Sequence, residues 1–256
     1  MKFGICTKPE KVALLKEGTL DYIELNLANV QKMTDEELKN TKQLLDSYNT
    51  PAEATNGFFP ETVRLCGADY NPAQVAEYTK RALNNAAYLG IFTCVLGSSK
   101  ARNIAEGDDR ETCLKQFEEA IVIAGDVAKT TGTTIVLEPL RVAEANYLNR
   151  VSEGAEICRR VAHPNILLLA DYYHVMDAKE DLQVLVDNKD ILRHTHVSDP
   201  ATRKYPMPND GHDYAPLVKA LKTAGYDLRM SIEGGCPGDF VPCTEESISF
   251  LRQIFA

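Results

Sequence analysis

At 256 residues, with 44% hydrophobic and 25% charged residues, the chain has enough apolar material for a large core and is neither disordered nor fibrous in composition. A net charge of −9 opposes nucleic-acid phosphates and anionic membranes, so neither is an expected partner. Seven scattered cysteines without a CxxC pair, no apolar leader in MKFGICTKPEK and no bilayer-length apolar run together predict a cytoplasmic protein with reduced thiols.

In chain order, strand-like runs are expected at residues 2–7, 22–27, 52–56, 92–97, 134–138, 166–171, 192–198 and 229–234. Helix-like segments fall between them: a short first one at 9–17, then 71–89, 110–131, 151–161, 178–188, 214–225 and 244–254. Thr34 with Glu37, Asn71 before Pro72, and Thr244 with Ser247 read as helix starts, and Gly132 and Gly225 as helix C-terminal glycines. Residues 57–70 form a long connection of the sort that often covers a site. Strand–helix alternation implies a parallel sheet, and eight units in this length fit an α/β fold of the (β/α)8 barrel type, one domain over residues 1–256. A doubly wound open sheet would carry a glycine-rich turn after the first strand, and Cys6-Thr7-Lys8-Pro9 is not one.

Four successive strands end in residues that can bind a metal: Glu138, Asp171, His196 and Glu233, at gaps of 33, 25 and 37 residues. In a parallel barrel all strand C-termini share one face, so the four are expected to converge. Three carboxylates held together repel unless a cation neutralises them. Three hard oxygens and one imidazole suit Mn²⁺, Mg²⁺ or Co²⁺, with Zn²⁺ also compatible. His194, two residues before His196, lies on the same strand face one layer deeper and reads as a hydrogen-bonded core histidine. Glu24 and Asn26 close the second strand and are candidates to line the same mouth. Cys6, at the end of the first strand, reads as a small buried hydrophobe or else a pocket wall, and Phe58 and Phe59 either cover a ligand or simply pack. Ser98, Ser99, Lys100 and Arg102 either bind a phosphate or form a capped turn.

The ordered combination Glu-Pro-Leu-Arg at 138–141 with Glu144 and Asn146, Asp-Tyr-Tyr-His at 171–174, His-Thr-His at 194–196 and Ser-Ile-Glu at 231–233 resembles the xylose isomerase-like TIM-barrel family. Within it the likeness is to the sugar phosphate isomerase/epimerase branch, which holds ketose 3-epimerases of the tagatose/psicose type, hydroxypyruvate isomerase and inosose dehydratase. Gly97 to Gly107 and Gly211-His212-Asp213-Tyr214 also look like stretches seen there. The resemblance implies one divalent metal ion, Mn²⁺ favoured, held by Glu138, Asp171, His196 and Glu233. It implies proton transfer by Glu138 and Glu233 through an enediolate, and substrate oxygens held by Glu144, His174 and Arg203. A small sugar would be the substrate, and a homo-oligomer, dimer or tetramer, the assembly. Alternatives on the same residues are a dehydratase, a hydroxypyruvate-type isomerase and a non-catalytic sugar-binding barrel. An endonuclease IV-like phosphodiesterase would need more than the five histidines present, and a Schiff-base aldolase a strand-end lysine. Two features depart from the family pattern. Arg203 lies one residue further past His196, and Tyr172-Tyr173 replace a threonine and a phenylalanine, which alters the pocket wall.

Overall fold

Eight strands pair in parallel and in sequence order, and β1 returns to β8 to close a barrel. They are β1 Lys2–Cys6, β2 Tyr22–Asn26, β3 Ala52–Asn56, β4 Thr93–Leu96, β5 Thr134–Leu137, β6 Ile166–Asp171, β7 Leu192–Val197 and β8 Arg229–Ile232. The computed structural model describes all residues 1–256. Burial on both faces explains why the strands read as continuous apolar runs. Glu138 and Glu233 lie just past their strands, but their backbone N–H groups still donate to Leu96 and Val197, which keeps both in line with the ladder.

The helices are α1 Leu27–Val30, α2 Asp35–Ser47, α3 Pro72–Tyr88, α4 Ser99–Arg102, α5 Arg110–Thr131, α6 Val151–Val161, α7 Tyr172–Asp177, α8 Gln183–Asp187, α9 Ala215–Ala224 and α10 Phe240–Phe255. Local sequence explains their starts and stops. Thr34 and Glu37 form a reciprocal capping box at α2. Asn71 accepts from the backbone of Ala73 and Gln74 ahead of Pro72, and Val75, Tyr78, Thr79, Ala82, Leu83 and Ala86 then recur at helical spacing as the buried face of α3. Gly132 and Gly225 end α5 and α9 in the left-handed region, at φ 71° and 66°.

Three helical expectations are corrected. The first segment is a 3-10 helix, Pro9–Leu14. The expected helix at 178–188 shrinks to α8, and a separate short helix, α7, precedes it. Asp171 caps α7 directly at the strand end, the chain turns at Lys179 with φ 50°, and α8 follows. The last helix begins at Phe240, so Thr244 and Ser247 are buried inside it rather than capping it; Ser247 Oγ donates to the Pro206 carbonyl. Pro242 sits in the first turn, where its missing N–H costs nothing. The connection at 57–70 is packed down: Phe58, Phe59, Val63, Leu65 and Cys66 are buried, and Tyr78 Oη donates to the Phe58 carbonyl at 2.7 Å.

One apolar cluster of 55 residues fills the space between barrel and helices, and a separate small one, Val95, Val136 and Leu169, lies within β4–β6. All seven cysteines are free thiols. No helix is long and apolar enough to cross a membrane.

Candidate metal centre

Glu138, Asp171, His196 and Glu233 meet at the C-terminal face of the barrel, with one potential ligand atom from each lying within 4.8 Å of all the others. His196 Nδ1 is 3.2 Å from Glu138 Oε1 and 3.6 Å from Glu233 Oε2. Gly97, just past β4, makes room for this group. A Cβ there would come 2.3 Å from Glu138 Oε2, so any other residue would displace the carboxylate.

The electrostatics are those of a crowded acidic pocket. Burial and the neighbouring Glu233 carboxylate push Asp171 up to about 8, and burial followed by Glu233 also raises Glu138. Burial favours the neutral form of Glu233 too, but His196 and Arg203 outweigh it and hold that acid down at about 2. Burial opposes a charge on His196, yet Glu24 and Glu233 keep its pKa well above the usual imidazole value. Three acids and one imidazole in a buried cluster therefore require positive charge, supplied by protons or by a cation. Asp171 provides an independent sign. Its Oδ1 accepts from the Tyr173 backbone, whereas the buried Oδ2 has no hydrogen-bond partner. A buried carboxylate oxygen without a hydrogen-bond partner, on a residue of this acidic cluster, fits a divalent cation ligand.

His196 is oriented from below. Its Nε2 donates to Glu24 Oε1 at 3.0 Å, which leaves Nδ1 facing Glu138 and Glu233. Glu24 Oε2 accepts from His194 Nε2 at 2.8 Å and from Ser231 Oγ at 2.6 Å, and Tyr22 Oη donates to Ser231 at 2.7 Å. Burial would favour protonated Glu24, but His196 and His194 reverse this and hold the acid far below the carboxylate range. A carboxylate behind a ligating histidine fixes its tautomer and ring plane. His194 is thus the hydrogen-bonded core histidine its depth suggested. Glu24 lies buried beneath the mouth, in a role the sequence did not reveal, because its partners are 170 and 172 residues away.

The remaining residues form a second layer around the opening. Asn56 Nδ2 donates to Glu233 Oε1 at 2.8 Å and Arg203 donates to Glu233 Oε2 at 3.2 Å. Arg203 also donates to Glu144 Oε1 at 2.7 Å, which takes a further bond from Arg141 Nε at 2.8 Å. Both guanidiniums pack near the Tyr173 ring, at 4.9 and 5.0 Å from its centroid. Arg203 is held with φ 53°, a strained conformation for a non-glycine residue. His174 Nδ1 accepts from the Arg141 backbone, so its Nε2 carries the proton; that atom is buried, unpartnered and 3.5 Å from Asp171 Oδ2. Burial and Arg203 drive its pKa down to about 3, leaving a neutral donor at the mouth. Glu144, His174 and Arg203 thus lie beside the four convergent residues.

Sequence reasoning missed Asn56 and Arg141. The strand-end rule covers Asn56, but an amide there carries no charge to draw notice. Arg102 resolves differently from a phosphate ligand: fully buried, it donates to the carbonyls of Glu138 at 3.0 Å and Leu148 at 3.1 Å and so anchors the start of the β5 loop. Phe58 and Phe59 pack rather than face the site, and Ser98 Oγ accepts from the Phe59 backbone at 2.9 Å.

Comparison with known proteins fits this arrangement. A segment of 180 residues, 70% of this chain and 66% of the relative, is 24% identical to 3-dehydro-D-guloside 4-epimerase of Escherichia coli. Another of 122 residues, 46% of each protein, is 27% identical to 2-oxo-tetronate isomerase of Cupriavidus necator. The matches therefore span less than two thirds of these relatives' lengths. The crystal structure of a D-allulose 3-epimerase from Methylomonas sp. superposes with a TM-score of 0.86 over 99% of this chain and 98% of that one at 21% identity, a likeness of fold. Residues 12–254, which include every site residue discussed from Glu24 to Glu233, match the sequence profile of the xylose isomerase-like TIM barrel, and the chain belongs to that family.

Proposed function

We propose that this protein is a divalent-metal-dependent carbohydrate isomerase or epimerase, with a ketose 3-epimerase the best-supported activity. The observation that carries the reading is the convergence of Glu138, Asp171, His196 and Glu233 within 4.8 Å, with an unpartnered Asp171 oxygen among them. The relatives named above are epimerases and an isomerase. Such reactions share one step, removal of a proton from a carbon next to a carbonyl. Inversion at C3 of a 2-ketose and at C4 of a 3-keto sugar both need it.

In this reading Glu138, Asp171, His196 and Glu233 hold the metal. A divalent cation bound there would polarise the substrate carbonyl and stabilise the negative charge that develops beside it. Glu233, kept ionised and aimed by Arg203 and Asn56, takes the proton from one face. Glu138, whose surroundings favour its protonated form, returns one from the other, which inverts the carbon. His174 Nε2 and Arg203 donate to the carbonyl oxygen, and Glu144 accepts from a substrate hydroxyl while holding Arg203. The protein works as one TIM-barrel domain in the cytoplasm, as a homo-oligomer, and takes a small sugar as substrate.

The test begins with metal content by elemental analysis. The Mn²⁺-loaded protein is then incubated in D₂O with a panel of ketoses and keto acids. Deuterium at C3 of a ketose supports the epimerase, and at C1 or C2 the isomerase. Release of water with a new carbonyl identifies the dehydratase. No exchange with any substrate together with no metal uptake refutes the proposal.

A further inference from the structure

A cleft of about 400 Å³ opens beside the metal centre, over the ends of β1–β3. It starts at Glu24 and Asn56, which touch His196 and Glu233, and runs out past Asn26 and Asn29 to Lys8 and Lys11 at the 3-10 helix. Its charge is unusual for this protein. Glu24 is the one acid lining it, and that carboxylate is buried and fully engaged by His194, His196 and Ser231. Five other lysines pair with carboxylates: Lys2, Lys16, Lys42, Lys100 and Lys115. Lys8 and Lys11, like nine further lysines of the sixteen, form no ion pair, and these two line the same concave wall. The Lys11 ammonium is instead held 4.9 Å from the centre of the Phe240 ring at the start of α10.

Two unpaired ammonium groups on a concave wall focus positive potential there. A neutral polyol gains little from it, whereas an anion gains charge-assisted hydrogen bonds. We infer that the cleft is a subsite for an anionic group, carboxylate or phosphate, on the end of the substrate remote from the metal, held by Lys8 and Lys11. The volume suits one small sugar derivative. The inference extends the proposed function, since it places the reacting carbons of that same substrate at the metal centre.

Open-chain compounds with no carbonyl test binding without turnover. Isothermal titration calorimetry on the Mn²⁺-treated protein compares D-glucitol, D-gluconate and D-glucitol 6-phosphate. At least one anion is expected to bind about tenfold tighter than glucitol, and its advantage to shrink as NaCl rises from about 50 mM to about 500 mM. The tighter of the two anions identifies the group as carboxylate or phosphate. The Lys8→Ala/Lys11→Ala double variant should lose the preference while keeping glucitol affinity and the circular dichroism of the parent. Equal binding of all three compounds, no binding of any, or a preference that survives in the double variant overturns the inference; the last outcome would place the anion on the metal centre itself. Because the probes do not react, an anion preference without deuterium exchange on any substrate would break the catalytic reading and leave the subsite standing. Exchange on neutral ketoses without anion preference would do the reverse.

Discussion

The two halves of the barrel interior are built from different chemistry. Alternation along the strands puts Val136 two residues below Glu138 and Leu169 two below Asp171, with Val95 from β4 beside them as a small apolar cluster. At the same depth under His196 and Glu233 stand His194 and Ser231, tied with Tyr22 to Glu24. The acids above the apolar half, Glu138 and Asp171, are pushed toward their neutral forms, chiefly by burial. In the polar half Glu24 and Glu233 stay ionised because His196, with His194 or Arg203, overcomes burial. The comparison teaches a division of labour: one half desolvates its acids, the other holds and orients its charged groups, and the proposed metal site lies where the halves meet.

The largest effect should come from the two glutamates, one from each half, assigned to proton transfer. Glu138→Gln and Glu233→Gln should each lower deuterium exchange by about 10²–10⁴-fold with circular dichroism unchanged; retained exchange would remove that residue from proton transfer. The next contrast separates packing from orientation. Leu169→Ala in the apolar half should cost about 2–5 kcal/mol in denaturant unfolding with metal affinity little changed. Glu24→Gln in the polar half should weaken metal affinity by about 10–100-fold by calorimetry. If the two variants behaved alike, the halves would not be functionally distinct.

The smallest effect is a pH trend in the metal-free protein. Asp171, with its folded pKa near 8 against an ordinary 3.8, binds its proton more tightly when folded, so its contribution is complete below about pH 4 and is lost as pH rises through 8. Glu138 and His196 are raised as well and act in the same direction. The lowered acids, Glu24 and Glu233, lose their contribution only on acidification below their ordinary value of 4.5. With chelator present, melting temperature should fall from pH 5 to pH 8, Asp171→Asn should flatten the fall, and Mn²⁺ should restore stability most at pH 8. A flat profile in the chelated parent would contradict the carboxylate crowding.

The sequence was most legible where a local rule had one reading. Asn71-Pro72, Thr34 with Glu37, and Gly132 and Gly225 each fix a helix end through bonds or dihedrals within a few residues. It misled where tertiary packing overrode local preference. Thr244 reads as a cap yet is buried within α10, and residues 178–188 read as one helix although Asp171 had already started another at the strand end. Arg102 reads as part of either a phosphate site or a capped turn, yet its guanidinium serves two backbone carbonyls in the interior.

By itself the sequence determined eight strand–helix units and four ligand-type residues at successive strand ends, because strand periodicity and the common direction of parallel strands are properties of the chain alone. Tertiary structure alone decided what surrounds them. Glu24 reaches His194 and His196, Asn56 reaches Glu233, and Arg203 joins Glu144 to Glu233 only once the barrel has closed. Those contacts span 30 to 177 residues, and their strength depends on exclusion of water. No local pattern encodes which polar side chains will share that dry interior.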